Sequence, residues 1–354
     1  MRMLKRALLG SLGLMALGGL AHAEGSVTVV SWGGLYTEVQ NHSFYQPFSK
    51  TTGIAVKSED WNGNLGQIRA QVDAKNVTWD VVIGDSAFAK KGCEEGFLEK
   101  IDPAVTQENA ADFLPGSITD CGVASVVWGY VIGYDERKVK DRPGSVADFF
   151  DLQKYPGKRA LPKRPESTLE FALMADGVPA KDVYSVLATP EGVDRAFKKL
   201  DTIKSEVVWW EAGAQPPQLL NDGEVTMAVS FAARLVGPIL DDKKPFGILY
   251  DGMLYDLDTW MIPKGSPHKK EAEEFIKFAS DPGRQAELAT RAGYAPVRIS
   301  AIGLVGKHPT AGVDMKQFML TNPDNQGNAA AIDAQFWSDN LDDLKERFNA
   351  WLAQ

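Results

Sequence analysis

The chain has 354 residues, of which 44% are apolar and 24% are charged, and these are the proportions of a globular protein. Its 38 Lys and Arg residues against 47 Asp and Glu residues give a formal net charge of −9, which disfavours a nucleic-acid partner because such partners require a basic face. Two cysteines and four histidines exclude a Cys-rich zinc module. The length suggests two domains, each large enough for its own core.

The first 23 residues have the pattern of a secretory signal peptide. Arg2, Lys5 and Arg6 form a basic start, an apolar run follows, and residues 21–23 (AHA) match an A-x-A cleavage site. The apolar run is shorter than the ~20 residues that span a bilayer, which argues against a membrane anchor. We therefore expect cleavage after Ala23 and export of a soluble mature chain, with the periplasm as its destination.

The chain contains two cysteines, Cys93 and Cys121. In an oxidising compartment a lone pair of cysteines usually forms a disulfide. A redox role is disfavoured because the two residues do not form a C-x-x-C motif. The sequence therefore predicts a structural disulfide between them.

Strands and helices alternate along the first part of the mature chain. The predicted elements are a strand over 26–32, a helix over 36–50, a strand over 53–56, a helix over 65–74, a strand over 79–84 and a helix over 87–95. Such alternation is typical of βαβ units and of a largely parallel sheet.

Two β-rich runs, 123–134 and 255–263, are the candidates for segments that cross between two lobes. Helices and short strands fill the region between them, and helices predominate after residue 269. We therefore predict an α/β fold of two lobes (type II-like), each a mainly parallel sheet flanked by helices, with a hinge and a central cleft. The predicted lobes are residues 24–130 plus 263–354 and residues 131–262.

No motif for covalent catalysis, metal binding or cofactor binding is apparent. The remaining histidines, His42, His268 and His308, are far apart and lack metal-ligand spacing. A G-x-S-x-G elbow, a Walker loop and a G-x-G-x-x-G loop are all missing from the sequence. We expect no cofactor, no metal and no enzymatic activity. The alternative from another class is a secreted enzyme that uses a carboxylate pair with pKa values pushed apart.

Aromatic and charged side chains collect at predicted strand ends, where α/β sheets bind ligands. Aromatic faces attract a cation and Asp accepts charge-assisted hydrogen bonds, so together they suit an amine, whereas the fork of an Arg suits a carboxylate. The predicted ligand-binding residues are Trp32, Tyr36, Asp85, Ser86, Trp210, Arg234, Asp256, Asp258 and Tyr294.

Alternatives remain open at several of these positions. Asp85 could instead cap a helix. Arg234 could form a structural ion pair with Glu211 or an Asp. Trp209 and Trp210 adjoin on a strand and therefore point to opposite faces, so only one of them is expected to face the cleft.

The order of short motifs along the mature chain resembles that of the periplasmic solute-binding proteins of ABC importers, in the group around the spermidine/putrescine-binding proteins. The motifs include VSWGG at 30–34, TGI at 52–54, WDVV at 79–82, GAQ at 213–215, IPKG at 262–265 and GYAP at 293–296. The resemblance implies a small-molecule ligand held between aromatic rings and carboxylates, and a permease partner in the inner membrane. We expect the protein to act as a monomer.

Within this resemblance, Trp32 and Tyr36 match the aromatics of the first strand of the family, Asp258 matches its carboxylate near the hinge, and Tyr294 matches a turn aromatic. The chain departs from the family where amine-binding acids are expected, since residues 163–167 read KRPES and Arg234 follows a later strand. Both changes add positive charge where the second ammonium of a diamine needs a negative partner.

These departures favour a zwitterionic ω-amino acid or a related compound as the solute. Its ammonium would lie at Asp85 or Asp258 and its carboxylate at Arg234. Polyamine binding by the same fold is the alternative. A metal or anion binder of the same shape is a third possibility, but ferric binders use paired Tyr or His ligands and the chain has no Tyr-Tyr pair.

Overall fold

The computed structural model describes residues 25–354 of the chain. The predicted signal peptide and its cleavage site lie outside the described residues. Among the residues that are described, no helix is both long and apolar enough to cross a membrane.

The strands of the described region form one mixed sheet. They are β1 (Ser26–Ser31), β2 (Ala55–Asp60), β3 (Val81–Gly84), β4 (Ile118–Thr119), β5 (Gly122–Asp135), β6 (Arg159–Pro162), β7 (Val207–Trp210), β8 (Met227–Phe231), β9 (Phe246–Met261), β10 (Ala295–Pro296) and β11 (Ala330–Ala331). The main order is β2-β1-β3-β9-β5-β8-β6-β7, while β4 and β10 pair with β5 and β11 pairs with β9.

Helices flank this sheet. They are α1 (Gly34–Gln40), α2 (Gln46–Thr52), α3 (Leu65–Asp73), α4 (Ser86–Glu94), α5 (Val146–Phe150), α6 (Thr168–Ala175), α7 (Val183–Leu187), α8 (Pro190–Asp201), α9 (Gln215–Asn221), α10 (Ala232–Leu240), α11 (Lys269–Ala279), α12 (Pro282–Ala292), α13 (Ile299–Leu304) and α14 (Ala334–Leu352). A π-helical segment, Asn41–Tyr45, joins α1 to α2, so the predicted helix over 36–50 is one helical stretch.

The prediction of a mainly parallel sheet is correct only for part of the strands. β1 pairs in parallel with β2 and β3, and β6 pairs in parallel with β7 and β8, because helices connect these strands. The pairs β3–β9, β5–β8 and β5–β9 are antiparallel. The two long strands therefore make the sheet mixed.

β5 and β9 connect two groups of strands. They have 14 and 16 residues and run antiparallel, from Gly122 opposite Met261 to Asp135 opposite Phe246. β3 pairs with one end of β9, and β8 pairs with the other end of β5. We call β2-β1-β3 the first strand group and β8-β6-β7 the second. The predicted crossing runs lie largely in the two long strands, and the division into two lobes with a hinge stays a prediction.

α14 contacts elements of both predicted lobes. The predicted boundaries placed residues 263–354 in the first lobe, and α14 packs against α4 of that lobe. The indole Nε1 of Trp337 donates to Glu170 Oε1 of α6 at 2.9 Å, and that of Trp351 donates to Asp201 Oδ1 of α8 at 2.8 Å. Both acceptors lie in the predicted second lobe. An amphipathic pattern predicts a buried helix face but not the elements that cover it, and the assignment of this helix to one lobe stays a prediction.

Cys93 and Cys121 form a disulfide, as predicted, with their Cα atoms 5.7 Å apart. The bridge ties α4 to the start of β5. Replacing both residues by Ala should lower the free energy of unfolding by about 3–4 kcal/mol, because the bridge closes a loop that the unfolded chain would otherwise leave free. Guanidinium unfolding of the oxidised wild type and the double variant checks this value. Two reactive thiols in denatured, unreduced wild type would contradict the bridge.

Candidate functional site

Three carboxylates meet where β3 ends beside β9. Asp256 and Asp258 are two residues apart on β9 and so point to the same side of the strand. Asp85 directly follows β3, and the next residue, Ser86, donates its backbone N–H to Asp256 Oδ2 at 3.3 Å. Asp256 and Asp258 are 7% and 4% exposed, and Asp85 is half-buried. The fold thus brings four of the predicted site residues together.

The three carboxylates differ in how many of their oxygens are already bonded. Asp256 accepts backbone N–H groups at both oxygens, from Ser86 and from Leu257, the latter at 2.7 Å. Asp85 caps α4 by accepting the N–H of Phe88 at 2.8 Å, which confirms the capping alternative. One oxygen of Asp85 and one of Asp258 accept no hydrogen bond within residues 25–354. These two carboxylates can bind a cation.

Burial raises the pKa of all three carboxyl groups. It raises the pKa of Asp85 to about 7, with the charge of Asp256 adding to the effect. It raises the pKa of Asp256 to about 6, although the Ser86 and Leu257 hydrogen bonds oppose the shift. It raises the pKa of Asp258 well above its usual range, where the charges of Asp85 and Asp256 add to the burial. A cation that enters this cluster would favour the ionised forms.

Aromatic rings line the cluster on the side of the first strand group. Trp32 donates its indole N–H to Asp258 Oδ1 at 3.1 Å and stacks on Trp61 with ring centroids 5.5 Å apart. Tyr36 is buried and lies against Tyr294 with ring centroids 4.5 Å apart. Ring faces beside carboxylates attract an ammonium group and keep water away from it. Three more predicted residues therefore join the acidic cluster.

The second strand group contributes a caged arginine that was not among the predicted site residues. The guanidinium of Arg164 lies 5.6 Å from the ring centroids of Tyr130 and Trp210 and 5.9 Å from that of Phe231. It also donates to the Tyr130 hydroxyl. Its charge lowers the pKa of Asp85, which places the cage beside the acidic cluster. The sequence marked Arg164 only as a departure from the family pattern.

The packing of Trp209 and Trp210 shows which side of β7 each ring occupies. Trp209 lies against Phe348 and Trp351 of α14, with ring centroids 5.7 Å and 5.9 Å apart. Trp210 is buried on the opposite face, beneath Arg164. Trp210 is therefore the member of the pair on the side of Arg164.

Arg234 lies at the start of α10, half-buried and close to the first strand group. Its Nη1 would be 3.5 Å from a Cβ placed on Gly34, and its charge acts on Tyr294. The alternative of an ion pair with Glu211 is wrong, because Glu211 pairs with Lys163 at 2.9 Å. Across residues 25–354 Arg234 has no ion-pair partner. Its guanidinium can therefore bind an anion.

Four buried polar atoms at the site have no hydrogen-bond partner in the described part of the chain. They are Tyr36 Oη, Ser125 Oγ, Trp128 Nε1 and Arg164 Nε. Buried polar groups are usually paired, and leaving one unpaired costs about 1–3 kcal/mol. Ser125 and Trp128 were not predicted as site residues. The polar and aromatic residues at 125, 128 and 130 in the otherwise apolar run of β5 were the available signal for them, but they equally fit a packed strand.

Within residues 25–354, no group of three or more His, Cys, Asp and Glu side chains is placed to hold a metal ion. The site instead combines groups of both charges. The guanidinium of Arg164, in its own aromatic cage, acts on Asp85, and that of Arg234 lies close to Gly34 and acts on Tyr294. This arrangement can bind a small molecule that carries both an amine and a carboxylate.

The chain is similar to several known proteins. Residues 43–311 match the family model of the bacterial extracellular solute-binding proteins. The chain is 42% identical over 341 residues to the gamma-aminobutyric acid-binding protein of Pseudomonas aeruginosa, covering 96% of this chain and 95% of that protein. It is 25% identical over 305 residues to the spermidine/putrescine-binding periplasmic protein of Escherichia coli, covering 82% and 83%. The solved Atu4243-GABA receptor is 33% identical with a TM-score of 0.81, covering 93% and 98%.

Proposed function

The chain belongs to the family of bacterial extracellular solute-binding proteins, and from this premise we propose that it captures a small zwitterionic ω-amino acid for import by an ABC transporter. The first candidate ligand is 4-aminobutyrate. The observation that carries the proposal is that Arg234, which has no ion-pair partner within residues 25–354, lies in the same site as the buried carboxylate of Asp258. The 42% identity to a protein named for gamma-aminobutyric acid supports the same ligand class.

The ammonium of the ligand would bind at the acidic end. Asp258 keeps one oxygen for it, because the indole of Trp32 occupies only the other. Asp85 offers a second acceptor nearby. The rings of Tyr36 and Tyr294 would cover the methylene chain. An ammonium held by carboxylates in a site closed to water makes strong charge-assisted hydrogen bonds.

The carboxylate of the ligand would bind Arg234. Arg164 is the less available of the two arginines, because it is stacked in its cage and bonded to Tyr130. A free guanidinium presents two parallel N–H groups that match the two oxygens of a carboxylate. A zwitterion adds one charge of each sign to the site. A diamine would instead bring a second ammonium close to Arg164 and Arg234.

Polyamine binding is the second candidate. The site contains three carboxylates with raised pKa values. A zwitterion with a single ammonium needs fewer acidic groups than this, whereas a polyamine has several ammonium groups. The 25% identity to a spermidine/putrescine-binding protein supports it less strongly than the first candidate.

We further propose that the protein works in the periplasm as a monomer and hands its ligand to a permease in the inner membrane. The predicted cleavage after Ala23 supports export. We assign no catalytic role to the carboxylates, and an unchanged ligand recovered after incubation is the expected result.

Calorimetric titration of the mature protein with 4-aminobutyrate, putrescine and spermidine tests the ligand class. The first two compounds share a four-carbon chain and differ in one end group, so their comparison isolates the carboxylate. We expect 4-aminobutyrate to bind most tightly. Tighter binding of putrescine would support the polyamine candidate, and mass spectrometry of ligand released from freshly purified protein would identify any other solute.

A further inference from the structure

Arg164, the caged arginine of the second strand group, has no carboxylate at ion-pair distance within residues 25–354. Its one hydrogen-bond partner in that part of the chain is the neutral hydroxyl of Tyr130, and its Nε is buried without a partner there. Stacking on aromatic rings holds a guanidinium in place but does not neutralise its charge. A charge kept from water without a partner is costly, so the cage indicates that an anion binds beside it.

Trp128 places a second unused donor between this cage and the acidic cluster. It lies on β5 directly opposite Asp256 of β9, and opposite side chains of paired strands share one face of the sheet. Tyr130, two residues further along β5, lies on the same face opposite Phe231 of β8. The ring centroid of Trp128 is 5.5 Å from that of Tyr130 and 5.7 Å from that of Phe231. Its indole Nε1 is buried and has no acceptor among the described residues.

The acids near the cage do not complete it. Burial raises the pKa of the Tyr130 hydroxyl, and the charges of Glu166 and Asp85 add to the rise, so both acids lie within electrostatic range. Neither forms an ion pair with Arg164 in the part of the chain that the structure describes. Burial also raises the pKa of Asp85 to about 7, so near neutral pH this carboxyl is only partly ionised. The charge of Arg164 therefore needs a partner from outside the chain.

That partner is an anion rather than a neutral oxygen. A hydroxyl or amide oxygen of a ligand would accept the indole N–H of Trp128 but would leave the charge of Arg164 uncompensated. A carboxylate has two oxygens, so it can accept from both residues and neutralise the guanidinium as well. Hydrogen bonds to ionised groups are also shorter and stronger than neutral ones.

We propose that Trp128 and Arg164 form a second carboxylate subsite, which binds a further carboxylate on the amine-bearing carbon of the ligand. This inference rests on the proposed function, in which Arg234 binds the first carboxylate and Asp258 receives the ammonium. The position on the amine-bearing carbon follows from the place of Trp128, opposite Asp256 in the acidic cluster. The ligand class is then an amino dicarboxylate. Glutamate is the matched member, because it is 4-aminobutyrate with a carboxylate added at that carbon.

Titration calorimetry of the mature protein with 4-aminobutyrate and with each enantiomer of glutamate tests the subsite. Both enantiomers are used because the amine-bearing carbon of glutamate is chiral, and one hand alone directs its carboxylate to the subsite. Arg164→Gln removes the charge but keeps a polar end, and Trp128→Phe removes the indole N–H but keeps a ring. Lys163→Gln is the matched control, because Lys163 is the exposed neighbour of Arg164 and pairs with Glu211.

We expect the wild type and Lys163→Gln to bind 4-aminobutyrate and one enantiomer of glutamate. Arg164→Gln should bind that enantiomer at least about 30-fold more weakly, the lower end of the range for a lost charge partner. Trp128→Phe should bind it about 10-fold more weakly, because one hydrogen bond to a charged group is lost. Both variants should bind 4-aminobutyrate as tightly as Lys163→Gln does, which also shows that their sites are intact.

Failure of both enantiomers to bind a wild type that binds 4-aminobutyrate would overturn the inference and leave the proposed function intact. An equal loss of affinity for 4-aminobutyrate and glutamate in Arg164→Gln would also overturn it, because Arg164 would then serve the single carboxylate. Glutamate binding that neither substitution weakens would place the second carboxylate elsewhere and contradict the subsite. Absence of 4-aminobutyrate binding to the wild type would instead contradict the proposed function.

Discussion

Replacing Asp258 by Asn should weaken the binding of 4-aminobutyrate by about 30-fold or more. Removing one partner of a buried, hydrogen-bonded charge pair costs about 2–5 kcal/mol, and Asp258 is 4% exposed at the proposed ammonium site. Asn keeps an oxygen that can accept the indole N–H of Trp32, so the aromatic wall stays in place. The loss should therefore come from the missing charge, and titration calorimetry measures it.

The same substitution should not destabilise the ligand-free protein. Burial raises the pKa of Asp258, which means that the folded state disfavours its ionised form. Asn is neutral and avoids this cost, so we expect the melting temperature without ligand to stay equal or to rise. Asp343→Asn removes an exposed charge on α14 and serves as the matched control for both measurements. An Asp258→Asn variant that binds like the wild type would remove Asp258 from the ligand contacts.

The architecture was predictable because its signals are local. Short apolar runs followed by helical spacing predicted β1, β3 and the helices after them. The length of the β-rich run 123–134 predicted β5, whereas the run 255–263 predicted only the second part of β9, which begins at Phe246. The disulfide followed from there being two cysteines in a chain with an export signal. The elements that contact α14, which are α4, α6 and α8, were not predictable, since its apolar face fits any apolar surface of matching shape.

The acidic end was predictable for a related reason. Strand ends collect at one edge of a sheet, so Trp32, Asp85 and Asp258 could be expected to meet there. The arginine cage was missed because Tyr130, Trp210 and Phe231 come from three strands, β5, β7 and β8, that come close together only in the folded sheet. The spacing of these residues along the sequence does not show that they lie close together in the fold.

The sequence also could not separate binding roles from structural roles. Asp256 accepts a backbone N–H at each oxygen, from the start of α4 and from β9, and its contact with a ligand stays a prediction. Asp85 caps a helix with one oxygen and keeps the other. Structural and ligand-binding roles are told apart by the hydrogen bonds that each carboxylate oxygen accepts. Those hydrogen bonds depend on how close β3 lies to β9, which the sequence does not show.

The affinity for 4-aminobutyrate should rise with pH between about pH 5 and about pH 7.5. The ammonium and the carboxylate of the ligand stay charged over this range, as the ordinary pKa values of Lys and Glu indicate. The carboxylates that receive the ammonium must be ionised, and burial raises the pKa of Asp85 to about 7. If one such group must lose its proton on binding, the affinity rises by ~80-fold from pH 5 to pH 7.5. Calorimetry in buffers of different ionisation enthalpy measures the released protons.

The stability of the ligand-free protein should change with the opposite sign. A carboxyl group with a raised pKa in the folded state binds more protons there than in the unfolded chain. Its contribution to stability is complete below the ordinary pKa of about 4 and is lost as the pH rises through about 6 for Asp256 and about 7 for Asp85. Glu170, buried outside the site with a pKa raised to about 7, adds a contribution of the same sign. Acidification should thus raise the melting temperature while it weakens binding.

Asp85→Asn separates the contribution of the site from that of Glu170. The variant should keep the part of the stability change that Glu170 produces and show a smaller gain on acidification than the wild type. Its binding should depend less on pH, because one of the titrating acceptors is gone. Binding whose pH dependence is the same in the wild type and in Asp85→Asn would show that the proton is released from another group. Asp258 is then the remaining acceptor with an oxygen free of hydrogen bonds among the described residues, and Asp258→Asn should abolish the dependence.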